Sequence, residues 1–302
     1  MKRRRLGAVI FLLISVLAFG FVLTGIEKLR AERDRTSCQN KLRQLSLAYL
    51  NYRDCNGCLP PLTDQGQWAQ LGRGLPSVFA SLMPFIEASP IYFQPKQAPD
   101  YYYAHSSVPF TYGEKDGTTG TYTGGMANQI WPVFLDPADT TAVKLRDIPM
   151  TLPDGATGYY ATGSYVANGL LPWGVRKLTP PILEDSANTI MFAERPQICR
   201  TAAGETVYNL WGLGIYSPHM PAFATVTPTD PPGLWPTGQI VLADDVNPVQ
   251  ELRVGQSCDP RLPGKLHPGG MNVAMADGSV RVFRSDVSPA VFWAACKPAG
   301  SR

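Results

Sequence analysis

A long uncharged run near the N-terminus constrains the fold more than any other feature of the chain. It spans residues 6–26, "LGAVIFLLISVLAFGFVLTGI", and 21 residues make a helix of about 31 Å, close to the thickness of a bilayer's hydrocarbon core. The basic "KRRR" at 2–5 precedes it and should remain in the cytoplasm. We therefore predict a basic cytoplasmic stub at 1–5, a transmembrane helix at 6–26 and an extracytoplasmic remainder.

A cleaved signal peptide is the alternative interpretation of this run. Its apolar region would normally be about 7 to 15 residues long and would be followed by a small-x-small cleavage site. Ala18 and Gly20 fit that pattern loosely, but they lie inside the apolar run rather than after it. A retained anchor is therefore favoured.

The helix is predicted to continue beyond the anchor through residues 27–55. This stretch has no proline or glycine between 27 and 54 and is rich in helix-forming residues. Its apolar side chains fall on one helical face, at Leu42, Leu45, Tyr49 and Tyr52. Asn56-Gly57 and the prolines after it should end the helix.

The remaining chain, 56–302, is predicted to form one β-rich head with long loops. Glycine and proline contribute 28 residues each, which favours many turns and short strands. The net charge of +3 reflects the four basic residues at 2–5, and the rest carries 23 basic against 24 acidic residues. A body this close to neutral does not have the clustered basic face of a nucleic-acid-binding protein.

The stretch "MNVAMADGSVRVF" predicts a β-hairpin in the head. Asp277-Gly278 is treated as a two-residue type I′ turn, which would pair Met275 with Val280 and Val273 with Val282. The four apolar side chains would then share one face of the hairpin.

His267 precedes this hairpin, and Gly269 and Gly270 separate it from the first strand. It lies at the far end of the hairpin from Asp277, so the two should not form a dyad. We expect the glycines to bend the chain into the strand and His267 to bond a neighbouring loop. A metal-ligand role and another functional contact are the remaining alternatives for His267.

Six cysteines lie on the predicted outer side of the membrane, where disulfides are permitted. Cys55 and Cys58 have C-x-x-C spacing, but no second such pair supports a zinc site and no thioredoxin-like βαβ context supports redox use. A local disulfide or pairing elsewhere is favoured, with Cys199 and Cys258 as further candidates. Sequence alone does not choose the connectivity.

No catalytic residues are predicted, and the protein is expected not to be an enzyme. The three histidines lie in different segments and match no metalloprotease motif. Glu194, next to Arg195, is expected to form a structural ion pair. No cofactor is predicted, although Asp244, Asp245 and Asn247 supply oxygen ligands that suit Ca²⁺, with a solvated loop as the favoured alternative.

"HPGGMNVAMADGSVRVF" (267–283) resembles the C-terminal His-x9-Asp-Gly signature of a large bacterial prepilin-like family of unassigned function. Signature positions present here are His267, Gly269, Gly270, Asn272, Asp277 and Gly278. Four more segments resemble that family in its own order: "CQNKLRQLSLAYLNYRDCNGCLPP" (38–61), "VFLDPAD" (133–139), "GSYVANGLL" (163–171) and "DSANTIMFAERP" (185–196). The match departs from the family at Asp136, which stands where cysteine is usual.

The resemblance implies an α+β fold, in which a long pilin-like helix packs on an antiparallel sheet, and a role in type IV pili or type II secretion. Members of this kind carry glutamate at the fifth position after the processing glycine. Here Gly7 is followed by "AVIFL", so the fifth residue is Leu12. We therefore expect a plain anchor in the bacterial inner membrane rather than ordinary prepilin processing.

Two functions follow as hypotheses. The favoured one is a non-catalytic, pseudopilin-like envelope protein that contacts the lipid bilayer and pilin-like or secretion-system subunits. The alternative is a tethered module that binds a small solute or glycan through aromatic residues around Tyr101–Tyr103, Trp131 and Trp211, because aromatic faces stack on sugars.

Overall fold

A computed structural model shows how the helix and the head are joined. It describes residues 2–63, 76–86, 110–113, 119–122, 126–141, 145–151, 157–171, 185–215, 217–224, 249–251 and 256–298, and at 2–10, 12–14, 17–18, 110–113, 119–122 and 251 it describes the backbone alone. The predicted oxygen ligands Asp244, Asp245 and Asn247 and the aromatic group Tyr101–Tyr103 lie outside the described residues.

The N-terminal part of the chain forms a single helix of 55 residues, α1 (Lys2–Asn56). Every described side chain from residue 19 to residue 30 is exposed, and burial begins further along the helix. The buried positions are spaced i, i+4, i+7 and i+11, which is one helical face: Cys38, Leu42, Leu45 and Tyr49. Gly57 follows with a φ of 64° and donates its N–H to the carbonyl of Arg53, so the helix ends at the predicted place.

The predicted transmembrane segment at 6–26 falls within α1, and most of its side chains before residue 19 are outside the described set. Among the described residues, none of the helices has both the length and the apolarity required to cross a bilayer.

Within the residues that the structure describes, the head is built from the following short elements. Its other helices are α2 (Val78–Leu82) and α3 (Pro289–Cys296), with 3₁₀ turns at Met83–Phe85, Met126–Asn128, Pro132–Phe134 and Ser186–Asn188. Its strands are β1 (Phe110–Gly113), β2 (Thr119–Tyr122), β3 (Ile148–Thr151), β4 (Thr157–Tyr160), β5 (Tyr165–Asn168), β6 (Ile190–Glu194), β7 (Ile198–Arg200), β8 (Thr206–Tyr208), β9 (Ala222–Phe223), β10 (Gln250–Glu251), β11 (Gly264–Lys265), β12 (Met271–Met275) and β13 (Val280–Phe283).

A five-stranded sheet of order β13-β12-β6-β5-β9 is the centre of the head. The first four strands pair antiparallel, and β9 adds in parallel to β5, so the sheet is mixed rather than purely antiparallel. This confirms the α+β class. Four two-stranded pairs, β1-β2, β3-β4, β7-β8 and β10-β11, lie outside this sheet.

The sheet is covered on both faces. One face packs on α1 through a cluster that includes Leu42, Leu45, Tyr49, Phe192 and Ala274. The other face packs on α3 through a cluster that includes Val166, Ala193, Val273, Phe292 and Trp293. Because side chains alternate along a strand, β6 directs Phe192 towards α1 and Ala193 towards α3.

The predicted hairpin exists, but its register was wrong by one residue. Ala274 pairs with Val280 and Val273 pairs with Arg281, rather than Met275 with Val280 and Val273 with Val282. Gly278 alone adopts a left-handed conformation, with a φ of 89°, and its N–H bonds the carbonyl of Met275. The connection is therefore a longer turn ending in a left-handed glycine, not a two-residue type I′ turn.

The corrected register changes the faces of the hairpin. Met271, Val273 and Met275 face α3, whereas Ala274 and Val280 face α1. Asp277 bonds the N–H and hydroxyl of Ser279 through one carboxylate oxygen, at 2.8 and 2.7 Å, and so stabilises the turn.

Candidate functional site

Four side chains with metal-binding atoms converge between α1 and the sheet. They are Cys38 from α1, Asp136 from the loop after Pro132–Phe134, Glu194 from the end of β6 and His267 from the turn before β12. One ligand atom from each lies within 4.8 Å of the corresponding atom of every other, and all four residues are buried. These four residues are called the donor cluster below.

Local structure explains how α1 and β6 supply their members. Cys38 is four residues before Leu42, on the face of α1 that packs on the head. Glu194 is directly opposite Tyr165 on β5 and two positions after Phe192, so it faces α1 as Phe192 does. A carboxylate that ends the buried strand "IMFAE" is thus directed into the core rather than to water.

The turn before β12 places the histidine. Gly269 adopts a left-handed φ of 86°, and the N–H of Gly270 bonds the carbonyl of His267. A Cβ at Gly270 would lie 2.5 Å from the carbonyl oxygen of Phe283, so only glycine fits there. The two glycines therefore reverse the chain and leave His267 pointing into the interior.

The cluster is joined by direct polar contacts. His267 Nε2 lies 3.0 Å from Asp136 Oδ2 and 3.3 Å from Glu194 Oε1. The thiol of Cys38 donates to Glu194 Oε1 at 2.8 Å. His267 and Asp277, the pair that shares the sequence signature, do not contact each other in the described structure, and the histidine's partners are acidic residues from other segments.

A second layer of hydrogen bonds orients the two carboxylates. Asn272 donates to Glu194 twice, from its backbone N–H at 3.0 Å and from Nδ2 at 2.5 Å. Its Oδ1 accepts from Gln39 on α1, which fixes the direction of the amide. The backbone N–H of Ala138 donates to Asp136 Oδ1 at 2.8 Å. Each carboxylate is therefore held in place by groups outside the cluster.

Burial and mutual charge shift the pKa values of the donor cluster. Burial lowers the pKa of His267, but the hydrogen bonds and charges of Asp136 and Glu194 outweigh it and raise that pKa to about 9. Burial raises the pKa of Glu194, whereas His267 holds the pKa of Asp136 below its ordinary value despite burial. Burial and the two acids raise the pKa of the Cys38 thiol.

The chemistry open to such a cluster is limited by its burial. Thiolate, imidazole and carboxylate groups are all transition-metal ligands, so the four residues could hold a metal ion. All four side chains are buried within the described structure. Four protein ligands without an open coordination position are typical of structural metal sites.

Arg195 corrects one expectation about Glu194. The two residues do not form an ion pair, because they are adjacent in an extended segment and point in opposite directions. Arg195 is buried and donates to three carbonyls and one amide oxygen: those of Ala222, Pro260, Met220 and Asn209, at 2.6 to 3.2 Å. Burial lowers its pKa to about 9.

The cysteines separate into one bonded pair and several free thiols. Cys199 and Cys258 form a disulfide with a Cα–Cα distance of 5.7 Å, and it joins β7 to the segment before β11. Cys55 and Cys58 are both free, so the expected pairing of the C-x-x-C residues is wrong. Both lie at the end of α1, where they are exposed or half-buried. Cys296 is free and buried in α3.

The aromatic residues proposed for ligand binding are dispersed. Trp211 is buried in the core, donates Nε1 to the carbonyl of Gln129 at 3.0 Å and stacks on Phe134. Trp131 lines a groove of about 500 Å³ beside α1, together with Lys41, Leu47 and Phe85. Trp211 therefore contributes to packing, and of the described aromatic candidates only Trp131 borders a groove.

Sequence reasoning identified His267 but not its partners. Cys38 was treated as one of six thiols, although its i, i+4 relation to Leu42 already placed it on the buried face. Asp136 follows the apolar "VFL", and Glu194 follows the apolar "IMFA". A charged residue at the end of a buried segment was the available signal.

A known family covers most of the chain. The model of a family described as "Protein of unknown function (DUF1559)" matches residues 30–290, which include all four members of the donor cluster. The chain belongs to this family. No curated protein and no solved structure shows significant similarity to it. Membership in DUF1559 brings no activity with it, because the family's function is itself unknown.

Proposed function

We propose that this DUF1559 protein is a membrane-anchored, pseudopilin-like extracytoplasmic protein with a non-catalytic structural or assembly role in a pilus- or secretion-type envelope system. One observation carries the proposal: α1 is continuous for 55 residues, and its two ends have opposite surroundings. From Cys38 onward one face of the helix belongs to the core of the head, whereas the described side chains before residue 31 are exposed.

The exposed part of α1 is apolar. Its large exposed side chains are Phe11, Val16, Phe19, Phe21, Val22, Leu23, Ile26 and Leu29. Phe21 exposes 78% of its surface and Phe11 exposes 73%. Contiguous apolar surface of this kind marks a contact with a membrane or with another protein. A bilayer and neighbouring helices of similar subunits are the partners that suit a single apolar helix.

Two features support an outward-facing head. The basic residues at 2–5 precede the apolar run, which favours a cytoplasmic N-terminus in a bacterial inner membrane. The Cys199–Cys258 disulfide favours an oxidising compartment for the head. Both observations agree with a single-pass topology.

A tethered solute- or glycan-binding role has less support. Trp211 is part of the core, and the groove beside Trp131 has no buried charged or amide group among its described lining that would fix a sugar. A thermal-shift screen of the full-length chain against glycans tests this alternative. A glycan that raises the unfolding temperature in a Trp131-dependent way would favour it.

Membrane association and helix contacts test the proposal together. In a variant with Cys55→Ser and Cys58→Ser, a cysteine introduced by Val22→Cys should form disulfide-linked complexes in membranes. Arg281→Cys, on the exposed face of β13, is the matched control and should not. The protein should also resist carbonate extraction. Release by carbonate, or a head that resists protease added to the outer side of the membrane, would contradict the proposal.

A further inference from the structure

We propose that the donor cluster of Cys38, Asp136, Glu194 and His267 is a structural zinc site. This inference is independent of the proposed envelope function, since it concerns only what holds α1 to the head. It also departs from the prediction that the protein has no cofactor. Five observations support it, and each concerns residues that the structure describes.

The first observation is the donor set. One thiolate, one imidazole and two carboxylates give a mixed S/N/O set of four, which is the ligand number of structural zinc sites. Calcium and magnesium prefer all-oxygen sites, and thiolate with imidazole selects against them. The chemistry of the donors therefore favours zinc over the Ca²⁺ considered from sequence for other residues.

The second observation is the spacing of the donor atoms. Metal–ligand distances of about 2.0 to 2.3 Å place the corners of a tetrahedron about 3.3 to 3.8 Å apart. The contacts within the cluster run from 2.8 Å, between Cys38 Sγ and Glu194 Oε1, to an upper limit of 4.8 Å. The two ends of this range differ from the tetrahedral edges by about 0.5 to 1 Å, so side-chain rotations that move the donor atoms by that much would produce a tetrahedron.

The third observation is the origin of the ligands. The contacts within the cluster join residues that are 131 positions apart (Asp136 and His267) and 156 positions apart (Cys38 and Glu194), and Cys38 lies on α1. A single ion would therefore crosslink the long helix, the loop at Asp136, β6 and the turn before β12. Because all four ligands are buried and supplied by protein, no coordination position is open for a substrate, which distinguishes a structural from a catalytic zinc site.

The fourth observation is the outer shell. Zinc ligands are commonly held by second hydrogen bonds that set their orientation. Asn272 supplies two such bonds to Glu194, and Ala138 supplies one to Asp136. These hydrogen bonds therefore orient the two carboxylates independently of any ion.

The fifth observation is the position of the Tyr165 hydroxyl. It is buried, has no partner at normal hydrogen-bond geometry within the described part of the chain, and interacts with the Cys38 thiol. Tyr165 is opposite Glu194 in the neighbouring strand, on the face that carries the cluster. Its hydroxyl is available to donate to a negatively charged ligand, and a zinc thiolate or zinc carboxylate is such a group.

Charge balance permits a divalent cation. Binding would release the proton of the Cys38 thiol and the proton on His267 Nε2, so three anionic ligands and one neutral ligand would surround a +2 ion. Lys41 lies one turn from Cys38, donates to the carbonyl of Leu135 at 2.7 Å and interacts electrostatically with Asp136. It would offset the remaining negative charge.

Metal content of the full-length chain tests the proposal. The protein is purified in detergent on a histidine-free tag, unfolded in EDTA and refolded with excess ZnCl₂, and unbound metal is removed by gel filtration. We expect about one zinc per chain by mass spectrometry. Less than about a tenth of an ion per chain would overturn the proposal, and a stoichiometric ion of another metal in the untreated protein would overturn the assignment to zinc.

Paired cysteine variants localise the ion. Cys38→Ser should lose at least nine tenths of the bound zinc. Cys296→Ser is the matched control, because Cys296 is also a free and fully buried thiol but lies in α3 on the other face of the sheet, and it should retain the metal. Equal retention in both variants would overturn the assignment of the ligands.

Spectroscopy on the unmodified chain keeps the test valid if a variant fails to fold. X-ray absorption at the zinc edge should show one sulfur at about 2.3 Å and three nitrogen or oxygen atoms at about 2.0 Å. A shell without sulfur, or with two or more sulfurs, would contradict the site. Cobalt substitution gives an independent check through a thiolate-to-cobalt charge-transfer band.

Discussion

Glu194 and Arg195 are consecutive, both are buried, and yet their surroundings differ in kind. Arg195 donates to neutral oxygens only, and the four acceptors suit the donor positions of one guanidinium. Glu194 lies among groups that can each lose a proton: a thiol, a second carboxyl and an imidazole. The comparison shows two ways to hold a buried charge. Neutral oxygens can use all the donors of the charged group, as they do for Arg195. Ionisable neighbours can lose protons, as those of Glu194 can, and could then bind a cation.

The largest effect is expected from replacing Arg195, the buried charge that is held by neutral oxygens. Arg195→Met should lower the free energy of unfolding by about 4 kcal/mol, because it leaves Asn209 Oδ1 and several carbonyls buried without a donor. Guanidinium denaturation of the full-length chain measures the change. Arg200→Met, at an exposed position on β7, is the control and should leave the midpoint unchanged. A neutral result for Arg195→Met would show that the hydrogen bonds add no net stability.

The stability that Glu194 contributes should depend on bound metal. Glu194→Gln keeps the shape of the side chain but removes the charged ligand. At a zinc concentration about 100 times Kd, the variant should be less stable than the unchanged protein by about 3 kcal/mol. The difference should shrink when both proteins are refolded in EDTA, where only the loss of the Glu194 contacts with His267, Cys38 and Asn272 remains. Glu205→Gln, at an exposed position, should show no metal dependence.

A smaller effect is expected from the outer shell. Asn272→Ala removes the side-chain bond to Glu194 but leaves the backbone N–H in place. Zinc affinity should fall by about 10- to 100-fold, while one ion per chain still binds at saturation. Competition with a chromophoric chelator measures the affinity. An unchanged affinity would remove Asn272 from the list of positioning residues.

The smallest effect concerns pH near Arg195. Burial lowers the pKa of His219, and the charge of Arg195 adds to this. The N–H of Tyr208 donates to Nδ1 and so also binds the neutral ring. The unfolded chain therefore binds a proton first, and stability should fall as pH drops below about 6.5. His219→Gln keeps an acceptor for Tyr208 and should flatten this part of the stability curve. An unchanged slope would assign the pH dependence to other groups.

Local patterns were enough to predict the helix, the fold class and the existence of the last hairpin. The stripe of Leu42, Leu45 and Tyr49 is buried as the helical period requires. The hairpin register was missed because both faces of β12 are buried, so apolar alternation could not choose between adjacent registers. Asp277-Gly278 was also compatible with more than one turn length.

The donor cluster could not be predicted as a unit, because its members meet only through tertiary contacts. Nothing local to Cys38 indicates that residues 98 and more positions away surround it, and a lone thiol on a helix is usually a packing residue. Asp136 and Glu194 resemble ordinary turn and ion-pair residues in sequence. Their spacing in space depends on the sheet order, which brings β6 and β12 together beneath α1.

The continuity of α1 has a mechanical consequence. α1 is one continuous helix, and no proline or glycine interrupts it between residue 27 and residue 54. The apolar N-terminal segment and the segment that carries Cys38 therefore form one stiff rod. Tension applied to the N-terminal half would be transmitted to the centre of the head without a hinge to absorb it. The strength of the attachment at Cys38 would then set the load at which the helix is pulled away from the sheet.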